Sequence, residues 1–182
     1  MNTLSYGLLS AISIESCSGY DLIERMKLFW KADHSQIYPI LGKLESQGYV
    51  RHESVKQVNK PDKKVYFVTD SGIEVLKKWM AEPTSEPVIR DEFALKMHSI
   101  SMFDEEQTIA LLKERRALYE QRLADLEARN ERLRLKREAY GEDDSGIPTQ
   151  FLGPFFLLER EILNAKTELK WCDWALEHLG TR

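Results

Sequence analysis

Apolar residues recur along this chain in two regimes. Up to about residue 79 they come in short blocks separated by capping and turn residues. Residues 4–13 (LSYGLLSAIS) are apolar on most sides and predict a buried helix. Ser18, with Asp21 three residues on, predicts the start of a second helix whose inward positions are Leu22, Ile23 and Met26 and which runs to about Phe29 or Trp30. Asp33 and Gln36 form a capping box for a third helix. Ile37, Leu41 and Leu44, spaced by four and three, mark its buried face, and Gly48 marks its end. YVRHESV (49–55) and KVYFVT (64–69) read as two strands joined by a turn at Asn59-Lys60-Pro61-Asp62. Thr69 or Asp70 then caps a helix carrying Ile73, Leu76 and Trp79. Pro39 cannot donate to the carbonyl of Ser35. Either the third helix begins at Pro39, or its first turn is loose and lies at the surface.

Beyond residue 104 the period changes. Asp104–Tyr140 contains no Pro and no Gly, enough for a helix of about 55 Å. Ile109, Arg116, Leu123, Asn130 and Arg137 share one heptad position; Leu112, Tyr119, Leu126, Leu133 and Tyr140 share the position three further on. Asn130 reads either as a register-fixing polar residue or as part of a helix end emerging into solvent. In the last helix Phe155, Ile162, Leu169 and Leu176 recur every seven residues, with Leu158, Ala165, Cys172 and Leu179 three beyond each. A second apolar set (Phe156, Leu163, Trp171, Trp174) lies off that stripe. One helical hairpin cannot cover both faces, so a homodimer is expected, with Leu126, Leu133, Leu158, Ile162, Leu169 and Leu176 at its interface.

The fold class expected is mainly α with a small β-hairpin: an N-terminal winged helix-turn-helix over residues 1–80, a linker over 81–90 (AEPTSEPV breaks both neighbouring patterns), and a helical dimerisation domain over 91–182. GEDDSGIP (141–148) is expected as an exposed loop. No apolar run reaches the length of a membrane span, and the N-terminus lacks the basic start and cleavage site of a signal peptide, so a cytoplasmic address and no membrane partner are expected. Cys17 and Cys172 stand far apart among apolar neighbours, which suits core packing better than a disulfide, a metal site or oxidant sensing. The 182 residues carry a net charge of -4. Residues 1–79 nevertheless hold 11 Lys and Arg against 9 Asp and Glu, with four of those lysines in KQVNKPDKK (56–64). A local basic patch on an acidic protein can contact phosphates.

These features define a candidate interface for double-stranded DNA. The third helix turns Ser35, Gln36, Tyr38, Pro39 and Lys43 outward, groups able to meet base edges and phosphates in a major groove. Lys60, Lys63 and Lys64 on the hairpin would hold register on the flanking backbone. The alternative is a helical dimerisation scaffold whose winged helix binds protein, and the bland reading of the Lys-rich turn is a solvated hairpin. Enzyme constellations are absent: the four histidines show no HExxH, and there is no CxxC and no glycine-rich phosphate loop. No catalytic residue, metal or cofactor is expected. Glu142, Asp143 and Asp144 read as a solvated acidic loop rather than a cation site.

SGYDLIERM (18–26), FWKADHSQIYPILGKLESQGYV (29–50), PDKKVYFVTDSG (61–72) and RDEFALKMHSIS (90–101), in this order and spacing, resemble the PadR family of bacterial transcriptional regulators, in its branch with a long helical C-terminal domain. The resemblance implies that Ser35–Lys43 reads DNA, that Lys60–Lys64 is the wing and that the protein is a dimer; two-fold symmetry then makes an inverted repeat the expected target, with repression the expected role. A small aromatic effector is a further candidate partner. Arg90, Phe93, Lys96, Met97 and His98, just after the linker, are the residues expected to line its pocket, with Arg90 or Lys96 pairing with a carboxylate. The competing reading is that those cations pair with Asp91 or Glu92 and the aromatics are core.

Overall fold

A computed structural model describes residues 1–27, 30, 32–56, 62–139 and 149–179. The chain divides into two compact units, Met1–Glu86 and Pro87–Arg182. Among the described residues no helix is long and apolar enough to cross a membrane.

The first unit contains α1 (Thr3–Ile14), β1 (Cys17–Ser18), α2 (Gly19–Met26), α3 (His34–Ser46), β2 (Val50–Val55), β3 (Lys63–Val68) and α4 (Asp70–Met80). Its core is built from Leu4, Leu8, Leu9 and Ile12 of the all-round apolar α1 and from the positions that the periodicity marked, Leu22, Ile23 and Met26 in α2 and Ile37, Leu41 and Leu44 in α3. Tyr6 of α1 stacks on Trp79 of α4 at 4.8 Å between ring centroids. Burial of roughly ten such side chains, at about 1.5–3 kcal/mol each, is the main force closing the unit.

Polar side chains set the helix boundaries. Ser18 and Asp21 form the reciprocal capping box that starts α2. This helix ends at Met26 instead of continuing to Phe29 or Trp30, and the exposed Trp30 side chain adds no burial that would favour a longer helix. Phe29 lies outside the described residues. Asp33 and Gln36 start α3, so the helix begins five residues before Pro39, which is exposed. The Ser35 carbonyl it leaves without a helical donor lies on a surface turn. At the other end the amide of Tyr49 donates to Leu44 O and that of Gly48 to Glu45 O, with Gly48 at φ 72°. That paired closure requires a left-handed residue, and glycine takes it without steric cost.

The sheet has three strands rather than the two expected. β3 is central, paired antiparallel with β2 (Val50 opposite Val68, Val55 opposite Lys63) and with β1 (Cys17 opposite Tyr66). A two-residue strand has no period to read, which is why β1 left no signal. The turn at 59–62 lies largely outside the described residues. Thr69 caps α4 and its hydroxyl also donates to Gly48 O at 2.6 Å, joining the end of α3 to the start of α4.

The second unit contains α5 (Glu92–His98), a 3-10 turn (Ile100–Met102), α6 (Glu105–Ala139) and α7 (Thr149–Leu179). Helices α6 and α7 pack as an antiparallel pair. Arg116 meets Asp173 at 2.6 Å, Arg122 meets Glu161 at 2.6 Å and Asn130 donates to Glu159 at 3.1 Å, partners that descend along α7 as they ascend α6. Asn130 is thus a cross-helix contact of this hairpin. Leu112 and Leu126 of α6 and Leu158, Ile162, Ala165 and Cys172 of α7 fill the seam. The 141–148 loop lies outside the described residues.

Two glycines separate crowding from freedom. A Cβ on Gly72 would lie 2.2 Å from the carbonyl oxygen of Tyr49, whereas one on Gly42 would meet nothing within 4 Å. Gly72→Ala is expected to destabilise by about 1–3 kcal/mol through backbone displacement, and Gly42→Ala to stabilise by about 0.5–1 kcal/mol through helix propensity. Thermal unfolding of the two variants beside the parent protein measures both signs.

Candidate functional site

Because Ile37, Leu41 and Leu44 are completely buried, the opposite face of α3 must point to solvent. His34, Ser35, Gln36, Tyr38, Pro39, Gly42, Lys43 and Ser46 are all exposed. At 100° per residue Ser35, Pro39, Gly42 and Ser46 form the outermost ridge, all of them short. Gln36, Tyr38 and Lys43 flank it.

Two of these groups are already occupied. Ser35 Oγ donates to Asp33 Oδ1 at 2.5 Å. The side-chain oxygen of Gln36 accepts from the Asp33 amide at 3.4 Å, which leaves the NH2 group of Gln36 as its outward function. Tyr38 stacks on His34 at 5.8 Å and lies over Gly19, where a Cβ would come within 2.9 Å of its ring and hydroxyl. The bare backbone at the start of α2 is what lets this ring settle.

The wing is less basic than its composition suggests. Lys63 Nζ lies 3.0 Å from Asp21 Oδ2. The same carboxylate accepts from the amide and hydroxyl of Ser18, at 3.1 Å and 2.7 Å, so a single Asp21 both caps α2 and fastens β3. Partial burial works against its ionisation, but the Ser18 hydrogen bonds and Lys63 outweigh it and hold the carboxyl below its ordinary range. Lys63 is thus a buttress; Arg51 of β2 is exposed but pairs with Glu53 and lies over the Phe67 ring, and the exposed lysines placed here are Lys43, Lys56 and Lys64. Lys60 lies outside the described residues. His52 of β2 pairs with Glu45 of α3, tying the wing to the end of the helix.

Of the residues expected at a dimer interface, Leu126, Leu158 and Ile162 are buried inside the chain's own hairpin, and Leu133, Leu169 and Leu176 are half-buried along the same seam. A heptad seam is satisfied equally well by an intrachain neighbour. The unsatisfied face is the opposite one, where Phe156, Leu163 and Trp174 are 61%, 62% and 53% exposed and fall within about 20° of one another around α7.

The pocket expectation also changes. A cleft of about 420 Å³ is lined by Asp91, Phe93, Met97, Arg115, Glu168 and Trp171 among others. Phe93 and Met97 are there as expected. Arg90, Lys96 and His98 are exposed and do not line it, and Lys96 instead pairs with Glu92 at 2.8 Å along the surface of α5. The cation of the cleft is Arg115, which the sequence reading missed. It comes from mid-α6, its partners from α5 and α7, and no local motif joins the three.

Residues 8–78 match the pattern of the transcriptional regulator PadR-like family, and residues 89–180 match the C-terminal region of the virulence activator alpha proteins. The negative transcriptional regulator PadR of Bacillus subtilis is 31% identical over 178 residues, which cover 95% of each chain. The crystal structure of Bacillus subtilis PadR in complex with operator DNA superposes with a TM-score of 0.81 at 29% identity, covering 98% of both chains. That of the same protein in complex with p-coumaric acid superposes at 0.74, with 26% identity over 97% of this chain and 95% of that one.

The α3 cap has a measurable signature. Hydrogen bonds from Ser35 and from the amide of Gln36 hold the Asp33 carboxyl below its ordinary value. A group whose folded pKa is depressed contributes stability that is present above its unfolded pKa and lost as pH falls through the folded one. An NMR titration of Asp33 is expected to give a midpoint below that of a free aspartate, and Ser35→Ala to raise it.

Proposed function

The chain belongs to the PadR family of transcriptional regulators, and from that premise we propose that it is a cytoplasmic, homodimeric, sequence-specific DNA-binding repressor of an inverted-repeat operator, responsive to a small aromatic effector. Residues 1–80 bind DNA, 81–90 link and 91–182 dimerise. The observation that carries this reading is the orientation of α3: a fully buried apolar stripe on one side and an exposed face of short and polar residues on the other, beside a two-stranded wing. Its relative's complex with operator DNA supports the same use of the fold.

The short ridge of Ser35, Pro39, Gly42 and Ser46 lets the helix backbone come close to the floor of a major groove. Gln36 and Tyr38 then reach base edges from its flank, while Lys43 and Lys64 neutralise phosphates. Dimerisation through Phe156, Leu163 and Trp174 removes an apolar face from water and repeats α3 about 34 Å away along the duplex, so each half-site is read in adjacent turns.

Electrophoretic or fluorescence titration against a panel of operator variants tests the division of labour. Lys43→Ala and Lys64→Ala are expected to weaken every duplex alike and to lower the salt slope by about one unit each. Gln36→Ala and Tyr38→Ala are expected to reorder the preferred sequences, with changes of about 1–3 kcal/mol at a contacted base pair. Gly42→Ala should bind more weakly although the fold gains stability. The double variant Phe156→Glu, Leu163→Glu should sediment as a monomer and lose operator affinity. An unchanged dimer would place the interface elsewhere.

A further inference from the structure

The cleft of the second unit has an unusual balance of charge for a site that would take an aromatic acid. Arg115 is its cation, and only 12% of that side chain is exposed. Three of its five N–H groups are engaged. Nη2 and Nη1 donate to the two oxygens of Asp91, at 2.7 Å and 3.3 Å, and Nε donates to Glu168 Oε2 at 3.1 Å. Its flat faces lie over Phe93 at 4.5 Å and Tyr119 at 4.7 Å. One positive charge is matched by two negative ones, so the group carries a net -1.

The two remaining oxygen-bearing side chains at the cleft, Thr167 and Glu168, present acceptors. Thr167 Oγ1 donates its proton to Leu163 O, which leaves only lone pairs for a ligand. Glu168 is held through Oε2, and among the described contacts its other oxygen accepts nothing. Trp171 and Phe93 meet edge to face at 5.8 Å and 88°, giving the cleft two aromatic walls. Such faces attract cations. An incoming carboxylate would face two carboxylates at short range against the single positive charge of Arg115, and like charges repel.

We infer that this cleft binds an aromatic amine, a protonated nitrogen on a flat apolar body, and not an aromatic carboxylate. The ring lies against Trp171 and Phe93, and the ammonium donates to the open oxygen of Glu168. The inference rests on the reading of the chain as an effector-responsive regulator and names the class of effector. It separates this protein from its relative in complex with p-coumaric acid, which is an acid.

Isothermal titration of the full chain, without DNA, with 4-hydroxyphenethylamine and with 3-(4-hydroxyphenyl)propionate compares the same ring and spacer with opposite charges. The amine is expected to bind at least about tenfold more tightly. Glu168→Gln keeps an acceptor for Arg115 but removes the charge, and should lower amine affinity about tenfold with thermal unfolding unchanged. Trp171→Leu gives a second reading of the same site should the first variant fail to fold, and should weaken the amine likewise. Acid binding as tight as amine binding, no binding of either probe, or an amine affinity indifferent to both substitutions overturns the inference. Operator titration of the same preparation reports separately on the regulator reading, so failure of one is distinguishable from failure of the other.

Discussion

The burial of three side chains on one helix governs what this protein can do. Ile37, Leu41 and Leu44 lose all contact with water, and α3 has no rotational freedom once they are packed. Everything the helix offers outward follows from that restraint: the short-residue ridge, the Tyr38 ring over Gly19, and the amide of Gln36. A helix lying on the surface with a weaker anchor could roll and would present no constant pattern to a groove. The capping box at Asp33 and the closure at Gly48 fix its two ends, so position along the axis is as well determined as rotation about it.

Charge in the N-terminal unit is used for two purposes that composition alone does not separate. Asp21 takes Lys63 out of the pool of free cations and makes it part of the frame on which the wing rests. Glu45 and His52 do the same between α3 and β2. What remains to meet phosphate is a sparse set of exposed lysines, which fits a protein of net charge -4. Non-specific attraction of so few charges to phosphate is then modest.

In the second unit the same economy applies to apolar surface. The α6–α7 hairpin satisfies its own seam, with Arg122–Glu161 and Arg116–Asp173 closing the sides. That leaves the row of Phe156, Leu163 and Trp174 as surface that another copy can cover. Arg115 shows how a buried cation is tolerated: two carboxylates and two ring faces replace its water, and the surplus negative charge shapes what the cleft will accept.

Much of this was legible in the residues themselves, because it depends on neighbours a few positions apart. Capping boxes at Ser18 and Asp33, the three-residue stripe of α3, the stop at Gly48, the strand pair and the extent of α6 are local patterns, and local backbone chemistry decides them. The family resemblance followed from the same blocks. Tertiary structure alone decided which partner each side chain meets. It paired Lys63 with Asp21, brought Arg115 between α5 and α7, added β1 to the sheet, and assigned Leu126, Leu158 and Ile162 to an internal seam. A heptad states that a face must be buried but not against what, and a charge in a sequence carries no distance to its counterion. Those are questions of position in space, and only the folded chain supplies it.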